Sequence, residues 1–120
     1  MNREYYASPN VTDEVIRQKV VDELNLGYFN LSDGLFEQAK LNFSLALQFD
    51  KKCSEAYWGL ALCKLQIRDE SVLNEKPSTY KNITGLSEYK KALDYATEKQ
   101  KKVYKRLTEQ IMIIHSVEYI

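Results

Sequence analysis

The chain has 120 residues, of which 44% are hydrophobic and 28% charged, and its 17 basic side chains balance its 17 acidic ones. This composition is typical of one folded domain and excludes a disordered, collagen-like or membrane-embedded chain. Four glycines and two prolines are too few for the many turns of a β-sandwich or barrel. We therefore expect an all-α fold of about five helices arranged as antiparallel hairpins.

Cysteine and histidine are scarce, which limits metal and acid-base chemistry. Cys53 and Cys63 are the only cysteines and His115 is the only histidine, so the chain cannot assemble a four-ligand zinc site. Phosphate-binding loops and nucleophile motifs are absent from the sequence, as are a signal-peptide pattern and a membrane-spanning apolar run. We expect a cytoplasmic protein that is not an enzyme and binds neither a metal nor a cofactor.

The first half of the sequence predicts a helical hairpin. Residues 1–11 lack periodicity, and we expect them to form a flexible N-terminal arm. Thr12 is placed to cap a first helix, which residues 32–34 interrupt, and residues 50–52 end a second helix. Because the interruption is short, the two helices must be antiparallel neighbours. The apolar series are Ile16, Val20, Leu24, Gly27, Leu31 and then Phe36, Ala39, Phe43, Ala46.

A third helix, from about Cys53, carries apolar residues on two faces. A surface helix needs only one such face, so either both faces are packed or one lines a groove for an apolar ligand. Residues 68–86 have little periodicity and predict an insertion loop with a short turn near residues 71–73. The two faces consist of Ala56, Leu60, Cys63, Ile67 and of Trp58, Leu62, Leu65.

Two more helices are predicted over residues 87–120. Ser87 is placed to cap the fourth helix, and Thr97 with Gln100 forms the capping-box pattern that opens the fifth. We expect residues 12–120 to form a single domain.

An internal repeat is visible within residues 12–67. Leu60-Ala61 follows Leu26-Gly27 at a distance of 34 residues, which is the length of one tetratricopeptide unit. The spacing resembles one and a half tetratricopeptide repeats, with departures at Glu23, Asn30 and Lys51. The residues that carry the resemblance in the first unit are Leu26, Gly27, Gly34, Phe36, Ala39, Phe43 and Ala46.

A longer resemblance includes the C-terminal helices. The runs AYWGL at residues 56–60, LQIR at 65–68 and YKKALDYA at 89–96 are similar to a tetratricopeptide-like module found in many uncharacterised proteins of low-GC Gram-positive bacteria. This similarity implies an α-α superhelix to which the insertion and the last two helices belong.

The resemblance also implies a concave groove and a non-catalytic role in binding a peptide or helix of another protein. We expect Tyr28 and Trp58 to anchor such a partner, because large rigid aromatic side chains give contact area at little entropic cost. The alternative for Trp58 is core packing against the fourth or fifth helix. The positions that face the groove are Leu24, Tyr28, Leu31, Trp58, Leu62, Leu65 and Gln66.

Two other functions stay open. The basic residues from Lys99 to Arg106 offer phosphate contacts, although the zero net charge argues against nucleic-acid binding. The apolar side chains Ile111, Ile114 and Val117 near the end of the last helix offer a contact with a second copy of the chain, as in a homodimer or scaffold.

Overall fold

A computed structural model of the chain describes the backbone of residues 3–118 and the side chains of residues 3–116. Over that range the fold is all-helical and contains no β-strand, which confirms the predicted fold class. The elements are α1 (Glu14–Ser32), α2 (Phe36–Phe49), α3 (Ser54–Lys64), the single-turn α4 (Val72–Glu75), a 3₁₀ helix (Lys81–Gly85), α5 (Ser87–Tyr95) and α6 (Glu98–Glu118).

The hairpin of α1 and α2 closes around the predicted apolar stripe. Val20 and Leu24 of α1 are buried, as is Phe43 of α2. The N-cap of α1 is Asp13 rather than Thr12, since the Asp13 carboxylate accepts a hydrogen bond from the backbone N–H of Ile16 at 3.1 Å. A carboxylate at this position also interacts favourably with the helix dipole.

The ends of α1 and α3 share one turn geometry. Gly34 has φ +78° and Gln66 has φ +54°, both in the left-handed region. At each end, the residue that follows the left-handed one donates its backbone N–H to a carbonyl five residues earlier. Leu35 donates to the Asn30 carbonyl, and Ile67 donates to the Leu62 carbonyl. This is the Schellman arrangement, and it ends α3 before Ile67, which the sequence places inside the helix. The two turns lie 32 residues apart, against the 34 residues predicted for the repeat.

Two of the departures from the tetratricopeptide pattern form a polar seam between α1 and α2. The Asn30 side-chain amide donates to the side-chain carbonyl oxygen of Asn42 at 2.8 Å. The side-chain amide of Asn42 in turn donates to the Glu23 carboxylate at 2.9 Å. Because the three polar groups satisfy one another, they can lie partly buried in the seam.

α3 lies at the centre of the fold, packed against α2 on one side and α5 on the other. Eight of its eleven residues are buried. Its two apolar faces are therefore both covered by the protein itself, which is the first of the two alternatives that the sequence leaves open.

The segment 68–86 is folded rather than a plain loop. It contains α4 and the 3₁₀ helix, and the side chains of Leu73 and Ile83 are fully buried. α4 packs on α6, and the 3₁₀ helix contacts both α5 and α6. The segment therefore supplies core residues that support the C-terminal helices.

The capping box predicted at the start of α6 is confirmed. The Thr97 N–H donates to the Gln100 side chain at 2.9 Å, and the Gln100 N–H donates to the Thr97 hydroxyl at 3.2 Å. The predicted cap of α5 is wrong, because Ser87 is the first residue of that helix and Leu86 precedes it without a side-chain hydrogen bond.

Candidate functional site

The residues predicted to line an open groove are mostly buried. Leu65 is only half-buried and Gln66 is exposed. The others have exposed fractions of 9% or less: Leu24, Tyr28, Leu31, Trp58 and Leu62. The groove does not present these side chains to solvent because other parts of the chain cover them.

Trp58 is a core residue and not an accessible anchor. Its ring is fully buried, stacks on Tyr104 of α6 at 4.6 Å between centroids and lies 6.1 Å from Tyr89 of α5. Its indole N–H donates to the Glu70 carboxylate at 3.0 Å. The expectation of an exposed anchor is therefore wrong, since α5 and α6 fold over this face of α3.

Tyr28 is covered by the N-terminal segment, defined here as residues 3–8. The Tyr5 ring stacks on the Tyr28 ring at 3.8 Å with an interplanar angle of 3°. The Tyr28 hydroxyl in turn donates to the Glu55 backbone carbonyl at 2.6 Å. The prediction of a flexible arm is wrong for residues 3–8, because they lie in the groove between α1, α3 and α6.

Arg3 is largely buried in this groove. Its Nη1 and Nη2 donate to the two carboxylate oxygens of Glu55 at 2.8 and 3.0 Å. Its Nε donates to Glu70 at 2.9 Å, and its Nη2 also reaches Glu70 at 3.1 Å. The exposed fractions of these side chains are 13% for Arg3, 1% for Glu55 and 16% for Glu70. The guanidinium thus bridges two carboxylates that are largely removed from water.

The electrostatics of the cluster favour a bound cation. Burial raises the pKa of Glu55 above its ordinary value, and the hydrogen bonds from Arg3 oppose that rise. Burial lowers the pKa of Arg3, but its hydrogen bonds to Glu70 and Glu55 outweigh that and raise it overall, so the guanidinium stays charged. Burial raises the pKa of the neighbouring Tyr5 hydroxyl to about 12, and Tyr5 is therefore neutral near pH 7.

The other end of the N-terminal segment is held by Asp50. The Ser8 N–H and hydroxyl donate to the two Asp50 carboxylate oxygens, each at 2.7 Å. Ala7, Ser8 and Asp50 are all at most 5% exposed. The segment is therefore fixed at both ends by charged or polar contacts and in the middle by the Tyr5 ring.

Two open cavities are lined in part by the segment. A cavity of about 380 Å³ is lined by Arg3 and Tyr5 together with Arg68, and one of about 690 Å³ is lined by Tyr6 and Ala7 together with Lys99.

The predicted contact with a second copy is not supported at Ile111, which is fully buried in the core. Ile114 is half-buried, and the Val117 side chain lies outside the described residues. The neighbouring Met112 and Ile113 are about half exposed.

The basic residues of α6 take several different positions. Lys99 lies over the Tyr6 ring at 5.4 Å, and Lys101 forms a 3.5 Å ion pair with Glu98. Lys102, Lys105 and Arg106 are exposed.

The two cysteines and the histidine are the remaining candidates for chemical reactivity. Cys53 and Cys63 are buried free thiols, and burial raises the pKa of both, to about 11 for Cys63. His115 Nε2 lies 3.5 Å from the Thr84 hydroxyl. Among the described residues, no group of three or more metal-ligating side chains is found. Within the same range, no helix has the length and apolar character needed to cross a membrane.

The residues of the candidate site that sequence reasoning missed are those that hold the segment: Arg3, Tyr5, Ser8, Asp50, Glu55 and Glu70. One signal was present. Glu55 lies near the start of a helix that is apolar on two faces, and an acidic side chain that is buried in such a helix needs a partner of opposite charge. The sequence does not say that this partner is Arg3, 52 residues away.

Comparison with known proteins identifies no relative of this chain. No protein-family model matches the chain, and neither a curated protein nor a solved structure is detectably similar to it.

Proposed function

We propose that this protein is a non-catalytic protein-interaction module whose groove between α1, α3 and α6 accepts an extended segment of a partner protein. One observation supports this above all: residues 3–8 already lie in the groove, and their side chains fill matched sites on it. The same observation indicates how the groove is regulated, since the N-terminal segment competes with any partner for the same surface.

The contacts of the segment suit reversible release. They are mainly side-chain contacts, at Arg3, Tyr5 and Ser8, and the segment belongs to no helix. The exposed residues 9 and 10 join it to the rest of the chain. It can therefore leave the groove without unfolding α1, and the apparent affinity for a partner falls by the fraction of molecules in which the groove is filled.

The buried acidic groups support a binding role rather than catalysis. Glu55 and Glu70 share one guanidinium, and the Trp58 indole also binds Glu70. Carboxylates that share a guanidinium in this way are engaged in holding an arginine, which favours binding over general acid-base catalysis.

The tetratricopeptide-like character and a cytoplasmic setting belong to the same proposal. The close packing of the Phe43 ring against Gly27 and Gly59 supports the first, because small residues let tetratricopeptide helices approach. Two unpaired cysteines support the second, since free thiols are usual in reducing compartments.

The test uses the full chain with the segment weakened by Arg3→Ala and Tyr5→Ala together. A fluorescent peptide with the sequence of residues 1–10 is titrated against this variant and against the wild-type chain, with binding measured by anisotropy. We expect the variant to bind at least about tenfold more tightly than wild type, because its groove is free. The matched control is the same peptide with alanine in place of its arginine and of the tyrosine two residues later. A helical variant that fails to bind the unaltered peptide would contradict the proposed function.

A further inference from the structure

The chemistry of the N-terminal segment defines the class of partner that the groove takes. Resting on the proposed function, we infer that the groove selects partner segments that carry an arginine and, two residues later, an aromatic side chain. Arg3 and Tyr5 occupy the corresponding sites in the free protein.

The first reason is the hydrogen-bonding geometry at the arginine site. The Arg3 guanidinium makes a bidentate pair with Glu55 and a second set of hydrogen bonds with Glu70. A planar guanidinium offers five donors in a fixed fork, which suits two carboxylates at once. A lysine ammonium is a compact charge with three donors and cannot make both bidentate pairs.

The second reason is charge. Glu55 is fixed in the first turn of the buried helix α3, and the Trp58 indole holds Glu70. When Arg3 leaves, the carboxylates of Glu55 and Glu70 face each other with no cation between them, which is unfavourable. A segment without a cation would have to overcome that repulsion, so displacement of Arg3 favours a partner that brings a guanidinium of its own.

The third reason is that the aromatic rings of Tyr5, Tyr28 and Tyr104 surround the guanidinium. The Arg3 guanidinium carbon lies 4.7 Å from the Tyr5 ring centroid and 6.0 Å from the centroids of Tyr28 and Tyr104. Tyr5 also stacks on Tyr28. In an extended chain, residues two positions apart point to the same side, so the arginine and the aromatic ring enter the groove together.

The experiment fills the arginine site with a small molecule. The Arg3→Ala variant of the full chain is heated with increasing ethylguanidinium, or with ethylammonium at equal ionic strength. We expect ethylguanidinium to raise the unfolding midpoint temperature of this variant by roughly 5 °C near saturation, with little effect of ethylammonium. Equal rescue by both cations, or none by either, overturns the inference. The control variant, Arg3→Ala with Glu55→Gln, is expected to lose the rescue.

A second variant keeps the test decisive if Arg3→Ala does not fold. Arg3→Lys retains the positive charge, and we expect its unfolding equilibrium constant to rise more than tenfold over wild type. Full stability with lysine overturns the inference.

The outcomes also separate the inference from the proposed function. Selective rescue by ethylguanidinium supports the arginine site even if the peptide of residues 1–10 does not bind. If that peptide binds but the site does not discriminate ethylguanidinium from ethylammonium, the proposed function stands and the arginine requirement is overturned.

Discussion

At the residue scale, Phe43 joins three helices through two glycines. A Cβ atom added to Gly27 of α1 would lie 2.6 Å from the Phe43 ring, and one added to Gly59 of α3 would lie 2.4 Å from it. Real Cβ atoms essentially never approach so closely, and the ring is fully buried. The two glycines are therefore required by the packing of this ring.

We predict that Gly59→Ala lowers the free energy of unfolding by about 1 to 2 kcal/mol, measured by urea denaturation. The overlap with Phe43 costs about 1 to 3 kcal/mol and exceeds the gain of about 1 kcal/mol in helix propensity. The control is Gly85→Ala, where no atom lies within 4 Å of the added Cβ. A Gly59→Ala variant as stable as wild type would show that the ring can move aside.

Gln66 is predicted to be a site of backbone strain. Its φ of +54° is left-handed, and its side chain is exposed. Gln66→Gly is expected to raise the free energy of unfolding by about 0.5 to 1 kcal/mol, because glycine adopts this conformation without a steric cost. The same change at the exposed residue Gln110, in the middle of α6, should lower it by about 1 kcal/mol. Destabilisation by Gln66→Gly would mean that the Gln66 side chain makes a contribution of its own.

The pairing of Arg3 with Glu55 predicts a pH-dependent effect of removing the arginine. Burial raises the pKa of Glu55 in the native state above its ordinary value of 4.5, so ionisation of Glu55 costs native stability as the pH rises above that value. Arg3 offsets this cost. We expect Arg3→Met to lower the free energy of unfolding by about 3 kcal/mol at pH 7.5 and by less at pH 5, where Glu55 can take up a proton.

The measurement is urea denaturation of wild type and variant at both pH values. Other titratable groups surround Glu55, so only the difference between the two proteins is used; these groups are Tyr5, Tyr28, Glu70 and Tyr104. Arg17→Met serves as the control, since Arg17 donates to the Val11 carbonyl, which does not titrate. An Arg3→Met loss that is equal at pH 5 and pH 7.5 would argue against an ionised Glu55 in the pair.

At the element scale, the segment 68–86 contributes side chains to the core, although its sequence is mostly polar. Leu73 of α4 is fully buried, and α4 packs on α6. We expect Leu73→Ala to lower the free energy of unfolding by about 2 to 3 kcal/mol, in the range for a buried leucine. Leu41→Ala is the control, since Leu41 is 65% exposed and its loss should cost less than about 0.5 kcal/mol. Equal effects in thermal denaturation would show that α4 is not part of the cooperative fold.

The sequence predicts the elements unevenly, for a physical reason. The helical series and the capping box at Thr97 depend on neighbours within one or two turns, so α1, α2 and the start of α6 are close to their predicted positions. The end of α3 at Lys64 depends on Gln66 adopting a left-handed backbone, for which glutamine has no preference. The burial of Leu73 depends on α6, which follows it in the chain.

At the scale of the whole molecule, we expect the N-terminal segment to leave the groove in a local opening that does not require global unfolding. The Ser8 N–H donates to Asp50, so its hydrogen exchange reports release of the segment. We expect this amide to exchange faster than the buried helical amide of Phe43. Tyr5→Ala should speed it by roughly a further tenfold, because a stacked aromatic pair and buried area are lost.

Tyr6→Ala is the matched control for this exchange measurement by NMR. Tyr6 is adjacent in sequence but 39% exposed, and its hydroxyl bonds only to Glu4 among the described hydrogen bonds. We expect it to leave the Ser8 exchange rate within about twofold of wild type. If Tyr5→Ala also leaves the rate unchanged, the stacked ring does not hold the segment in place.

The all-helical fold class, the α1–α2 hairpin and the two-faced third helix could be predicted from the sequence, because helical periodicity and capping are local properties. The sequence could not show that Tyr104 covers Trp58, that Tyr5 covers Tyr28, or that Arg3 joins Glu55 to Glu70. Each of these contacts pairs residues far apart in the chain. Periodicity shows which residues avoid water, but it does not show which part of the chain covers them, since that depends on how the helices and the N-terminal segment pack together.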